Sequence, residues 1–132
     1  MERFPDWPQR LWRAIEDRRS SPLAWGRLDC VLYGADLIQA MTGEDLARDF
    51  RGLYSDEAGA MALLEANGWP DISALCDHFL PRRARPRRGD VVLLNNGKSI
   101  GIRTGHLRAI GAGLRRPVTV GIALPIRAWS VG

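Results

Sequence analysis

The stretch "AWGRLDCVLYGADL", residues 24–37, decides how this chain is to be read. It runs from a Trp-Gly loop through an Asp-Cys pair into a segment whose apolar residues fall on nearly every side of a helix. From Asp29 to Thr42, Val31, Leu32, Ala35, Leu37, Ile38 and Met41 cover most of that surface, leaving Asp36 and Gln39 as the polar exceptions. A helix that is apolar almost all round belongs at the centre of a small domain. Asp29 is placed as its N-cap and Gly43 just past its C-terminus. Cys30 falls in the first turn, where unpaired amides and the partial positive charge of a helix N-terminus can lower a thiol below its free pKa of about 8.5. Two readings of Cys30 follow: a nucleophile opening onto a cleft beside a mobile Trp-Gly-Arg-Leu loop, or one more inert side chain in the core.

Upstream, "DWPQRLWRAIEDRRSS" has Asp6 as a possible N-cap, Pro8 in the first turn, and Trp7, Leu11 and Ile15, or Trp12 and Ile15, at helical spacing. This predicts an amphipathic helix ended by Ser21-Pro22. Downstream, the pattern predicts a short helix over Glu44 to Phe50. A further helix is expected with Ser55 as N-cap and Gly68 as its close, and another capped by Asp71 over "ISALCDHFL". Cys76, between Leu75 and Phe79, reads as core, and His78 as a surface or interface residue.

After the Arg- and Pro-rich stretch "PRRARPRRGD", residues 81–90, the texture changes. β-branched runs "DVVLL", "SIGIR", "HLRAI", "VTVGIAL" and "IRAWSV" are separated by Asn-Asn-Gly, Thr-Gly and Gly-Ala-Gly turn signals. The expected fold is a single α+β domain over residues 1–132: a helical part at 1–80, a solvated linker at 81–88 and a small antiparallel sheet at 89–132.

The chain's 132 residues suffice for a core without disulfides or metals. Its composition, 45% hydrophobic and 26% charged, is globular, and no apolar run approaches the roughly 18 residues of a membrane span. No signal peptide is visible at "MERFPDWPQR", which points to synthesis in the cytoplasm. Two cysteines, Cys30 and Cys76, are too few for a disulfide framework and lack zinc spacing, so both read as thiols and no metal or cofactor is expected. The net charge of +4 raises nucleic acid as a partner, with Arg82, Arg83, Arg85, Arg87 and Arg88 as the candidate patch. The patch lacks interleaved aromatics and no nucleic-acid motif accompanies it, so this reading ranks last.

Several of these pieces together resemble the NlpC/P60 papain-like cysteine peptidases. Trp25-Gly26 and Asp29-Cys30 match parts of that family's nucleophile motif, and Gly89-Asp90-Val91-Val92 is similar to the start of its first strand. The nearest likeness is to a compact group of NlpC/P60-like proteins encoded in tail modules of tailed phages, prophages and gene-transfer agents. Those read Trp-Gly-Arg-x-Asp-Cys, then Thr-Gly, then Phe-Arg-Gly-x-Tyr, here Trp25 to Cys30, Thr42-Gly43 and Phe50 to Tyr54. The resemblance covers roughly residues 20 to 130. It implies a papain-like fold, Cys30 as the nucleophile with its own backbone amide as an oxyanion donor, and a site wall of Trp25, Gly26, Arg27, Asp29 and Arg103.

It also implies a general-base histidine at the start of the strand "SIGIR", oriented by a further polar residue. That position is Ser99. Val31 stands where the family has Ser, and Leu23 where it has an upstream Tyr. His106 is the remaining candidate base. With Thr104-Gly105 as a two-residue turn, Arg103 pairs with His106 and Ser99 with Ile110, which puts His106 on the same face as Ser99 but roughly 13 Å along the strand.

The resemblance thus implies one of two functions. The first is a phage-tail-associated protein, a tail-tip or assembly component of a virion or phage-like particle, on a scaffold with lost or reduced catalysis. It would dock on tail-hub or tail-tip proteins through exposed residues such as Trp69 and Trp129. The second is an active cysteine peptidase or amidase cleaving peptidoglycan stem peptides through Cys30.

Overall fold

The computed structural model describes residues 1–132. Helices α1 (Trp7–Asp17), α2 (Cys30–Thr42), α3 (Glu57–Ala66) and α4 (Ile72–Phe79) precede strands β1 (Val91–Leu94), β2 (Ser99–Gly105), β3 (Arg108–Gly111), β4 (Val118–Gly121) and β5 (Ala128–Trp129). The strands form one antiparallel sheet in the order β4-β3-β2-β1-β5. The α+β division expected from the sequence, helices first and antiparallel sheet second, is the one observed.

α2 lies between α1 and β2, as an all-round apolar helix must. Tyr33, Leu37 and Met41 are fully buried, in one cluster with Leu11 and Ile15 of α1, Ile102 of β2 and Trp129 of β5. Each such side chain contributes about 1.5–3 kcal/mol by leaving water. Gly34 is the point of closest approach to the sheet: a Cβ there would sit 2.9 Å from the Ile100 side chain. Gly43 ends α2 at φ 82°, the left-handed conformation that glycine adopts without a steric penalty.

Other elements differ from expectation, each for a physical reason. Residues 46–52 form successive turns where a helix was expected. Asp45 accepts a hydrogen bond from the Ala47 amide, and Arg51 reaches back to both Asp45 and Asp36, so local ion pairing replaces a helix too short to sustain itself. α3 is capped by Asp56, not Ser55; its carboxylate accepts from the Gly59 amide at 2.7 Å. Asp6 holds the N-cap position of α1 without capping it, because Arg10 takes its carboxylate. α1 ends at Asp17, ahead of Ser21-Pro22, and Arg18 turns aside to Asp36.

The β2–β3 hairpin has a different register. Ile102 pairs with Ile110, Arg103 with Ala109 and Gly105 with Arg108, so the tip is His106-Leu107. Ile102 and Ile110 are both buried. Facing these two isoleucines across the ladder outweighs the Thr-Gly turn preference, since register follows the buried face.

The Arg-rich linker is bound along part of its length. The Arg83 amide donates to Ala128 O, the Ser130 amide donates to Pro81 O, and Arg82 grips Asp77 at 2.6 and 2.8 Å. Trp129, expected as an exposed docking residue, is fully buried, its indole N–H donating to Asp77. Asp90 is also fully buried. It accepts from the Arg3 guanidinium, the Arg87 amide and the Val131 amide, with the Arg83 guanidinium 3.1 Å away, so Gly89-Asp90 ties both ends of the chain to the linker. No helix is long and apolar enough to cross a membrane.

Candidate functional site

The "WGRLDC" loop is a tight, pinned turn and not the mobile segment expected. Ala24 and Leu28 bridge across it, and the Gly26 amide donates to Asp29 Oδ2 at 3.1 Å. Gly26 has φ 82°, and a Cβ on it would lie 2.0 Å from Tyr54 O. The Gly52 amide meanwhile donates to Gly26 O at 2.9 Å. Only glycine can let these two backbones touch.

Asp29 is the centre of this unit. It is 1% exposed, and its two oxygens accept from four donors: the amides of Gly26, Val31 and Leu32, and the Tyr54 hydroxyl at 2.5 Å. A carboxylate so fully satisfied caps the helix and clamps the loop, with no lone pair left for a reaction. Burial, and after it the hydrogen bond to and charge of Asp29, push the Tyr54 phenol above its ordinary value. "WGRLDC" and "FRGLY" are thus one structural device: the first supplies the carboxylate and the glycine, the second the hydroxyl and the carbonyl.

Cys30 is half-buried in the first turn of α2, its sulfur 3.8 Å from Lys98 O. Its thiol is pushed up to about 11, first by burial and then by the Asp29 carboxylate; the amides of the first turn and a hydrogen bond from Ser99 only partly offset this. At this helix N-terminus desolvation and the capping carboxylate outweigh the helix charge. Cys76 is buried in the core as expected, its thiol raised to about 12 by burial.

Ser99, the first residue of β2, lies against Cys30. His106 does not come near. It is exposed at the hairpin tip, beyond the far end of β2 and roughly 20 Å of strand from Ser99. Arg103 is also elsewhere: its guanidinium donates to Pro86 O and Gly105 O, holding the linker. Arg27 is exposed on the loop, and Trp25 is half-buried beside Cys30.

Next to Cys30 opens a cavity of about 360 Å³, walled by α2, the 46–54 turns, α3 and α4, and mostly apolar. Trp25, Phe50, Tyr54, Leu64 and Trp69 line it, and no histidine does. A smaller apolar cavity of about 60 Å³ adjoins it through Val31, Ala47, Phe50 and Leu75. α4, which the sequence did not associate with the cleft, contributes Ile72 and Leu75 to the wall. Exposed His78 stacks behind Trp69 and Phe79, at 5.1 and 4.8 Å between ring centroids. The cavity exists because α3 has no fully buried residue; Leu64 touches the core, but Ala60, Met61 and Leu63 face space that no other element fills. Tyr54 was missed as a site residue, although the spacing of Phe50-Arg51-Gly52-x-Tyr54 carried its signal; Trp69, expected as an exposed docking residue, is half-buried in the cavity wall. No side-chain cluster suits a metal ion.

No significant match to the chain is found among the curated proteins or the solved structures. A family model described as "Domain of unknown function (DUF6950)" matches residues 2–131, nearly the whole of the loop, cavity and sheet just described, and the chain belongs to that family.

Proposed function

We propose that this chain is a papain-like, NlpC/P60-type scaffold that docks a partner in the cavity beside Cys30 and carries out no thiol chemistry of its own. The observation that carries the reading is Ser99. The cysteine sits at the N-terminus of a central helix packed on β2, the first residue of β2 faces it, and that residue is a serine with no basic group. A nucleophilic thiol needs a base within hydrogen-bond reach, and a thiol raised to about 11 is protonated at neutral pH. Continuing the hairpin register places Ala112 and Gly113 across from Ile100 and Ser99, so the neighbouring strand offers no polar side chain to orient a base either.

The sequence resemblance to tail-module proteins supplies the setting: an assembly or tail-tip component of a phage-like particle. The test is co-purification with tail-hub proteins, together with a cell-wall hydrolysis assay. Retention in particles by both the native chain and Cys30→Ala, with no hydrolysis by either, is the expected result. Hydrolysis by the native chain that Cys30→Ala abolishes would overturn it in favour of a peptidoglycan-cleaving peptidase.

A further inference from the structure

The charges of this chain are unevenly placed. Residues 52–81, which contain α3 and α4, hold five carboxylates and neither lysine nor arginine, in a chain whose net charge is +4. Asp77 is neutralised by Arg82. Asp56, Glu57, Glu65 and Asp71 are exposed and form no ion pair, and Glu57 and Asp71 stand at the wall of the apolar cavity. Met61, 52% exposed, and half-buried Trp69 belong to the same wall. Of the chain's 19 basic residues, Lys98 alone lines the cavity.

We propose that the cavity receives a polypeptide segment of a partner protein that presents an apolar or aromatic anchor flanked by basic residues. This rests on the docking reading above and names the chemistry of the partner. The cavity is of a size to take one or two large side chains, and its apolar lining supplies affinity by desolvating them. The acidic rim selects the flanks and steers the encounter. The same rim disfavours nucleic acid and anionic lipid surfaces, whose phosphates would meet unpaired carboxylates. α3 can adjust to the anchor, because none of its residues is fully buried and it is flanked by Gly52 and Gly68, both in left-handed conformation with open space around them.

The experiment is fluorescence anisotropy of the full chain with a labelled Lys-Lys-Leu-Phe-Lys-Lys peptide and its Glu-for-Lys counterpart. Variants are the Glu57→Lys/Glu65→Lys pair, which alters exposed positions outside the caps, and Ala60→Leu, which fills the cavity without changing charge. The expected result is binding of the basic peptide only, weakened about tenfold by raising salt from about 0.1 to about 0.5 M, and about tenfold by either variant. No binding of the basic peptide overturns the proposal. Equal binding of both peptides, or indifference to the charge reversal, overturns the basic partner while leaving docking intact; indifference to Ala60→Leu overturns the cavity as the anchor site. Concentration-dependent self-association that the charge reversal abolishes would replace the partner with the Arg-rich segment of a second copy. Hydrolysis dependent on Cys30 would sink the docking reading itself, whatever the peptides do.

Discussion

Asp29 shows how a residue flanking a candidate nucleophile can be structural. Its four hydrogen bonds join two sequence motifs, with Tyr54 lying 25 residues beyond Asp29, and each donor it satisfies would otherwise be a buried or part-buried group without a partner. Asp29→Ala is expected to cost about 3 kcal/mol or more in denaturant unfolding, and Tyr54→Phe about 1–2 kcal/mol, with non-additive effects in the double variant. If Asp29 served chemistry alone, both changes would leave stability unmoved. For Cys30 the expected measurement is alkylation in a Cys76→Ser background, with half-maximal rate near pH 11 and no change on His106→Ala. A half-maximum below about 7 would show that a base or cation reaches the thiol.

Among elements, α3 differs from the rest in burying no residue. Local stability follows buried contact, so its amides should exchange with solvent on the order of 100-fold faster than those of α2, a contrast measurable by hydrogen exchange. Binding of a basic-apolar peptide should narrow that gap. The turn segment that precedes α3 is held by Arg51 between Asp45 and Asp36. Its hydrogen bond is the main reason the Asp45 carboxyl lies below its ordinary range. A carboxylate with a depressed folded pKa stabilises above its unfolded value and loses that contribution as acid protonates the folded form. Arg51→Ala should therefore lower stability near neutral pH and flatten its dependence below about pH 4, as followed by acid titration of unfolding.

At the scale of the molecule, four acidic hydroxyl or thiol groups lose water on folding. Cys30, Cys76, Tyr33 and Tyr54 all have raised pKa values, with burial the largest cause in each. Below about pH 7 they are protonated in folded and unfolded chains alike and add no pH dependence. As pH rises through the unfolded thiol and then phenol values the unfolded chain releases protons that the folded chain keeps, so stability should fall steadily from about pH 8 to about pH 12. A flat profile across that window would contradict their burial. Asp90 binds the chain at a longer range, tying Arg3, the linker and Val131 together, and Asp90→Ala should cost about 2–4 kcal/mol by leaving two half-buried guanidinium groups without their counter-charge and the Arg87 and Val131 amides without an acceptor.

The elements legible from the sequence alone were those whose information is local. The apolar run from Val31 to Met41, the caps Asp29, Gly43 and Asp71, and the β-branched runs from Val91 onward with their turn signals placed α2, α4 and the sheet. Cys76 was legible as core for the same reason. What depended on neighbours distant in sequence was decided only by tertiary structure. Trp129 is an aromatic near the chain's end until Asp77 accepts its indole N–H and β1 covers it. His106 moved from a paired position to a hairpin tip because burying Ile102 opposite Ile110 set the register. The electrostatics of Cys30 inverted, since helix position is local but desolvation and the Asp29 charge come from packing. Periodicity and capping act over a few residues and are written in the chain. Register, burial and proton affinity depend on which surfaces meet, which the folded molecule alone decides.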